Sequence, residues 1–426
     1  MNDPVPPIVI GIDFGGTSSS AAFALRDSVD RGLQVLDKWP DAVKRSFDGI
    51  PRGPDIQTIV YYNSQNDEVL GWSGGEDEVW TAQGYQKPGV LVTPDFKGRL
   101  LPPEDSSEEA KRLSQVYRKS IEDITADFLR SLRGSVCGQV QDAVGALGMA
   151  ADVVQFVVTI PAFWDDEAKA EFQDIAATAG FDSDACKLSC ISGLEAALLH
   201  AEYTSPLSFK VGDSFLVLDS GGDLVEASIY EINTKEPLSV ERRTDVSVAS
   251  CGSAEVVRHF MAILGSKIGK MGFLPPGRVK GALRHRSKRA FVKEVLLAEG
   301  LGNAGFEFEL PPEVPGGFWV VDLGVEIDCP EADLIEGYMA FSEEEVYSCF
   351  DAAVGKTLEL VRDQIEGFQE QNHKPQGCLL AGGFNRCDYY SSRVQTGIAS
   401  YGLEIIGAGD DAVAFAKGAT LAGLQD

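Results

Sequence analysis

Three short segments of the 426-residue chain place glycines directly behind an apolar run: Asp13-Phe14-Gly15-Gly16-Thr17, Asp219-Ser220-Gly221-Gly222 and Leu380-Ala381-Gly382-Gly383. With no Cβ in the way, backbone N–H groups at such turns can approach and wrap an anion. Asp13 and Asp219 close the first two apolar runs. A carboxylate at a strand end suits Mg2+, bound directly or through its waters. The chemistry suggested is phosphate binding beside a hard cation. One glycine turn alone is an ordinary turn, but three in this order are not accounted for that way. The first turn is not a P-loop. It carries no Gly-Lys-Ser/Thr, and Ala21-Ala22-Phe23-Ala24-Leu25 resumes an apolar run where a P-loop would enter a helix.

Other chemistry-bearing residues lead elsewhere. Gly71-Trp72-Ser73-Gly74-Gly75 fits the hydrolase pattern G-x-S-x-G, but Glu76-Asp77-Glu78 follows where an apolar helix is needed. The eight cysteines and four histidines are dispersed and form no zinc-ligand spacing. Cys186 and Cys190 read as small core residues.

The elements that must position the glycine turns follow from apolar periodicity. Residues 8–13 form a strand buried on both faces, and residues 21–25 return from it, so the first turn closes a hairpin. The pattern recurs about 200 residues later, with strands at 214–219 and 225–230 around the second turn. Two such hairpins predict two related lobes, each offering a turn to a shared cleft. A further hairpin is expected at 58–62 and 68–72, and strands at 153–160 and 378–381. Helices are expected at 107–133, 165–179, 192–203, 252–269, 279–299, 342–367 and 386–398, with a small-residue helix at 410–424.

The formal net charge is −28, a field that repels nucleic acid and anionic membrane surfaces. No run of about 18 apolar residues is present to span a bilayer. The N-terminus has no basic segment ahead of an apolar stretch, so a cytoplasmic protein without disulfides is expected.

From Ile8 to Leu424 the order of motifs resembles the nucleotide-binding domain of DnaK-type heat-shock chaperones, within the actin and sugar-kinase superfamily. The resemblance is carried by Gly11-Ile12-Asp13-Phe14-Gly15-Gly16-Thr17, Val157-Val158-Thr159-Ile160-Pro161-Ala162-Phe163, Phe215-Leu216-Val217-Leu218-Asp219, Cys251-Gly252-Ser253 and Leu379-Leu380-Ala381-Gly382-Gly383-Phe384. The best match is a divergent eukaryotic branch, many members fungal, that lacks the peptide-binding domain. The resemblance implies an α/β, actin-like two-lobe ATPase fold of duplicated ribonuclease H-like lobes around a central cleft. Lobe I would hold residues 1–203, with 410–426 returning to it, and lobe II residues 204–409. It implies ATP or ADP with Mg2+ in the cleft, Asp13 and Asp219 organising the metal, and Gly15, Gly16, Thr17 and Ser18 donating to the β- and γ-phosphates. Gly221 and Gly222 would face them. Lys97 would approach the γ-phosphate, Lys288 and Arg289 would flank adenine, and Gly382 and Gly383 would pass the ribose and α-phosphate.

Departures from the family pattern are concentrated where hydrolysis would occur. The second turn continues Asp223-Leu224-Val225-Glu226, where the family has a third glycine and a phosphate-binding threonine. A carboxylate about 4 Å from a phosphate oxygen is repelled by roughly 4 kcal/mol at an effective dielectric near 20. Gly193 stands where the family places a metal-organising glutamate, with Glu195 two residues on. Phosphoryl transfer depends on placed water, metal and charge, so weak or absent hydrolysis and a regulatory role are expected. Two alternatives stay open. One is an enzyme that reuses the cleft on a small metabolite, with Asp223, Glu226 and Glu195 as acid/base groups; the other is an interaction scaffold.

Overall fold

The computed structural model describes residues 6–26, 32–39, 54–73, 87–93, 96–97, 100, 119–146, 153–204, 210–235, 237–272, 278–296, 319–324, 327–407 and 413–425. The chain opens with β1 (Ile8–Phe14) and β2 (Ser18–Leu25), followed by short β3 (Gln34–Val35) and β4 (Ile56–Gln57). Strands β5 (Val60–Asn63), β6 (Val69–Trp72) and β7 (Val90–Thr93) make a small sheet ordered β6-β5-β7. Then come α1 (Ile121–Gly145), β8 (Val154–Ile160), α2 (Asp166–Thr178), β9 (Cys186–Ser192) and α3 (Gly193–Thr204). The first large sheet is ordered β3-β2-β1-β8-β9, with β4 also on β2. In it β1 runs antiparallel to β2 and parallel to β8, and β8 runs parallel to β9.

The second half begins with β10 (Ser214–Ser220), β11 (Val225–Lys235), β12 (Leu238–Arg242) and β13 (Ser247–Ala249). Helices α4 (Ser253–Lys270) and α5 (Arg278–Phe291) follow. Strands β14 (Trp319–Asp322), β15 (Leu334–Ile335) and β16 (Tyr338–Phe341) form a second small sheet. The described chain ends with α6 (Glu343–Glu370), β17 (Gly377–Ala381), α7 (Asp388–Ala399), β18 (Glu404–Gly407) and α8 (Ala414–Gln425). The second large sheet is ordered β12-β11-β10-β17-β18, with β13 on β11. Its strand directions match those of the first: antiparallel β10–β11, then parallel β10–β17 and β17–β18.

The two hairpins also share a register. Phe14 pairs with Ser19 in the first and Ser220 with Val225 in the second, so residues 15–18 and 221–224 close equivalent turns. On that register Thr17 corresponds to Asp223, Ser18 to Leu224 and Ser20 to Glu226.

Helix α3 is buried almost all round, through Leu194, Ala196, Ala197, Leu198, Leu199 and Ala201, as suits a helix enclosed by other elements. It follows β9 of the first sheet but packs against β10, β11 and β17 of the second. Helix α8, built of Ala, Gly and Thr on its buried side, packs on β1, β2 and β8 and crosses α3. Its Thr420 hydroxyl accepts from the Gly11 N–H at 3.2 Å and donates to the Ala416 carbonyl at 2.8 Å.

Two helix boundaries differ from the sequence expectation. The helix expected at 107–133 is α1, which starts at Ile121 because the Ser120 side chain caps it, accepting from the Asp123 N–H at 3.1 Å. It runs on through buried Val136, Val140 and Val144; residues 107–118 lie outside the described residues. The helix expected at 279–299 ends as α5 at Phe291 and gives way to a π-turn, Val292–Leu296. Strands β3, β4, β7, β9, β12–β16 and β18 lie outside the sequence expectation. Ser73 follows β6, and the remaining glycines of its G-x-S-x-G pattern, Gly74 and Gly75, lie outside the described residues.

Candidate functional site

Glycines 16 and 222 occupy equivalent places in the two turns, and each receives the side chain of the opposite turn. A Cβ on Gly16 would lie 2.1 Å from Asp223 Oδ2, and one on Gly222 would lie 2.2 Å from Thr17 Cγ2 and 2.4 Å from its Oγ1. The contact is reciprocal: Thr17 of the first turn sits on Gly222, and its counterpart Asp223 sits on Gly16. No residue larger than glycine fits either position without moving that partner.

Both turns are anchored from behind. Thr58, buried, donates to the Gly15 carbonyl at 2.9 Å and shares a 2.8 Å hydrogen bond with Ser19. Behind the second turn, the Ser220 hydroxyl and the Thr357 hydroxyl each lie 2.9 Å from the Tyr390 hydroxyl. The second turn also faces the start of α4. The N–H groups of Gly252, Ser253 and Ala254 donate to the carbonyls of Asp223, Gly221 and Gly222 at 3.2, 3.2 and 2.8 Å. These pairings satisfy donors that a helix N-terminus leaves open.

Carboxylates converge at this junction. Asp13, at the end of β1, accepts from the Thr159 hydroxyl of β8 at 2.8 Å. Asp219 lies against the third glycine turn, where a Cβ on Gly382 would be 2.3 Å from its Oδ1, and against Gly193, whose Cβ would be 3.5 Å from its Oδ2. Gly382 has φ +92°, a conformation that favours glycine. Glu226 pairs across the hairpin with Asp219 and accepts from the N–H groups of Ala162 and Phe163 at 2.8 and 3.4 Å.

Lys97 is the cation that these groups share. Its ammonium donates to the Phe14 carbonyl and lies 5.0 Å from the centre of the Phe14 ring. Burial pulls its pKa below the ordinary 10.5, against the opposing pull of Asp13, Glu226, Asp219 and Asp223. The carboxylates respond in the other direction. Burial raises Asp13, with Lys97 and the Thr159 hydrogen bond opposing. Asp219 is held well above the ordinary carboxylate range by burial and by the neighbouring charges of Glu226 and Asp13. Burial pushes Glu226 up to about 7, despite Lys97 and its two backbone N–H donors. Four carboxylates around one ammonium cannot all be ionised cheaply in a partly desolvated space. The arrangement therefore retains protons or attracts a further cation.

The remaining expected residues fall in different places. The Glu195 carboxylate caps α3. Its Oε2 accepts from the Ser192 hydroxyl at 2.9 Å and from the Ser192 N–H at 3.4 Å, while the Glu195 N–H donates to that hydroxyl at 3.1 Å. Ser18 pairs with Gln57 at the start of β2. Gly383 is exposed beyond Gly382, with nothing near the place of its Cβ. Lys288, exposed, and Arg289, half-buried, lie on α5, which packs on α4. The sequence reading missed Thr159, Thr58, Tyr390 and the Ala162–Phe163 amides.

Among the described residues, no group of three or more His, Cys, Asp or Glu side chains is arranged to hold a metal ion. Two carboxylates that feel each other's charge, Asp13 and Asp219, match the donor set of a hydrated magnesium ion, which keeps most of its own waters. They do not amount to an all-protein metal cage. No helix among the described residues is long and apolar enough to cross a membrane.

No family profile matches the chain. It is 26% identical over 249 residues to the chaperone protein DnaK of Guillardia theta. It is 24% identical over 240 residues to that of Prochlorococcus marinus. In both cases the match covers 53% of this chain and 32% of the relative, so the aligned part spans about a third of those chaperones. The chain thus has a distant relationship to DnaK chaperones and a mixed α/β fold.

Proposed function

We propose that the chain is a nucleotide-binding domain of actin-like, two-lobe build, with weak or absent ATP hydrolysis and a regulatory role. The lobes would be residues 1–203 with the returning 410–426, and residues 204–409. The cleft between them would take ATP or ADP with Mg2+. The observation that carries the reading is the reciprocal seating of two equivalent glycine turns, each at the end of the central strand of a sheet of the same order, with Lys97 at their junction. Turns facing each other in this way supply backbone N–H groups from both sides to one anion. The distant likeness to DnaK chaperones supports the same choice. Asp13 and Asp219 would hold the magnesium ion through water, and the ion would neutralise phosphate charge.

Slow turnover follows from three positions. Asp223 brings a negative charge to the Gly16 side of the junction, Leu224 offers no donor, and Gly193 offers no carboxylate beside Asp219. A second reading, an acid/base enzyme acting on a small ligand, is favoured by one observation: burial holds Glu226 at about 7, a value suited to proton transfer near neutrality. Calorimetric titration with MgATP and MgADP, followed by a phosphate-release assay, separates the readings. Binding with little phosphate release supports the first. Absence of nucleotide binding overturns it.

A further inference from the structure

We propose that Asp223 is the residue that selects the ligand at the paired turns, favouring a nucleoside diphosphate over a triphosphate, because its side chain already occupies the Gly16 face that a terminal phosphate needs. The inference rests on the nucleotide reading above. The two turns are equivalent by strand register, so the chain contains its own comparison. At one of two matching seats the occupant is an uncharged threonine, Thr17, whose methyl and hydroxyl both lie on Gly222. At the other it is a carboxylate, Asp223 on Gly16. A hydroxyl can turn its hydrogen toward a phosphate oxygen, whereas an ionised carboxylate has only acceptors to offer.

The charge matters twice. Asp223 is among the carboxylates that act on Lys97. It therefore supplies, from within the chain, part of the negative charge that an incoming phosphate would bring to that ammonium. A ligand reaching Gly16 and Lys97 must displace this carboxylate or lie beside it, and repulsion grows with each charge on the ligand's phosphate end. The second turn is not free to retreat, because its carbonyls at 221, 222 and 223 bind the first N–H groups of α4. Selection by Asp223 thus acts at the terminal phosphate and leaves the rest of the ligand alone.

The test uses the full chain as wild type, Asp223→Asn and Asp223→Gly, each checked for a cooperative thermal transition and titrated calorimetrically with MgADP and MgATP. Asparagine keeps the shape and removes the charge; glycine removes both. The expected result is that both variants raise ATP affinity relative to ADP by about tenfold or more. Binding of both nucleotides by all three forms, with an unchanged ratio, overturns the proposal while leaving the nucleotide reading intact. A gain in the glycine variant alone overturns charge as the cause. No binding by any form overturns the nucleotide reading and this proposal with it.

Discussion

Glu226 and Gly16 show how much a single residue decides at this junction. Glu226 is almost fully buried, and its pKa rises from 4.5 to about 7. Between those values the folded chain holds a proton that the unfolded chain has released. Stability therefore falls as pH rises through that window, and the cost is complete above 7. Glu226→Gln keeps an acceptor for the Ala162 amide but cannot ionise. Thermal melts in EDTA without nucleotide should show the variant matching wild type near pH 4, below the unfolded value. It should gain stability by pH 8, by at most roughly 3 kcal/mol; a pH-independent difference would contradict this account. Gly16→Val is expected to drive the Asp223 side chain off its seat, costing about 1–3 kcal/mol as an overpacking change, and to abolish nucleotide binding. Retained binding would mean that the ligand lies elsewhere. The glycines, Asp13, Asp219 and Asp223 were legible in the sequence because each lies inside a contiguous motif. Thr58 lies in no such motif, and Thr159, Ala162 and Phe163, though inside the 157–163 segment, showed no role there. They reach the site only through strand pairing and packing, and a lone threonine in an apolar strand carries no local mark of that role.

At the scale of elements, apolar runs and helical periodicity located the central strands and most helices, since those segments are buried and their patterns are strong. Short edge strands such as β12, β13 and β18 escaped because they bury at most one residue each. The start of α1 differs from the expectation because the apolar spacing runs on upstream of Ser120, where the helix is capped. The same physics relocates Glu195, which the sequence offered as an acid/base group. Its carboxylate and the Ser192 hydroxyl bind each other's backbone N–H groups, the reciprocal pairing that opens many helices. Glu195→Ala should lower stability by about 0.5–2 kcal/mol, the usual cost of a lost cap, while Glu195→Gln, also a capping residue, should cost little. Denaturant melts of the two variants decide the matter. Equal loss in both would point to the charge itself and revive a chemical role.

At the scale of the molecule, two sheets of the same order are joined through α3 and α8, one helix lying on each sheet. The recurring glycine hairpin was itself visible in the sequence. The contact between the two helices was not visible, because a stripe of Ala and Gly does not say which partner it meets. The crossing is tight: a Cβ on Gly418 would lie 1.9 Å from the Ala196 carbonyl oxygen, which is backbone and cannot swing aside. Gly418→Ala therefore has to push α8 away from α3. Because α8 also binds Gly11 of β1 through Thr420, the strain passes to the strand that carries Asp13. The expected outcome is a loss of about 1–3 kcal/mol, as for other overpacked cores. Amide exchange should quicken in β1 and β8 on one side of the crossing and in β10 and β17 on the other. An Ala or Gly placed at Lys417, half-buried one position earlier on the same helix, controls for helix propensity. Faster exchange on one side alone would mean that the two sheets respond separately. The two glycine turns, which meet near the ends of β1 and β10, would then be uncoupled from the helices behind them.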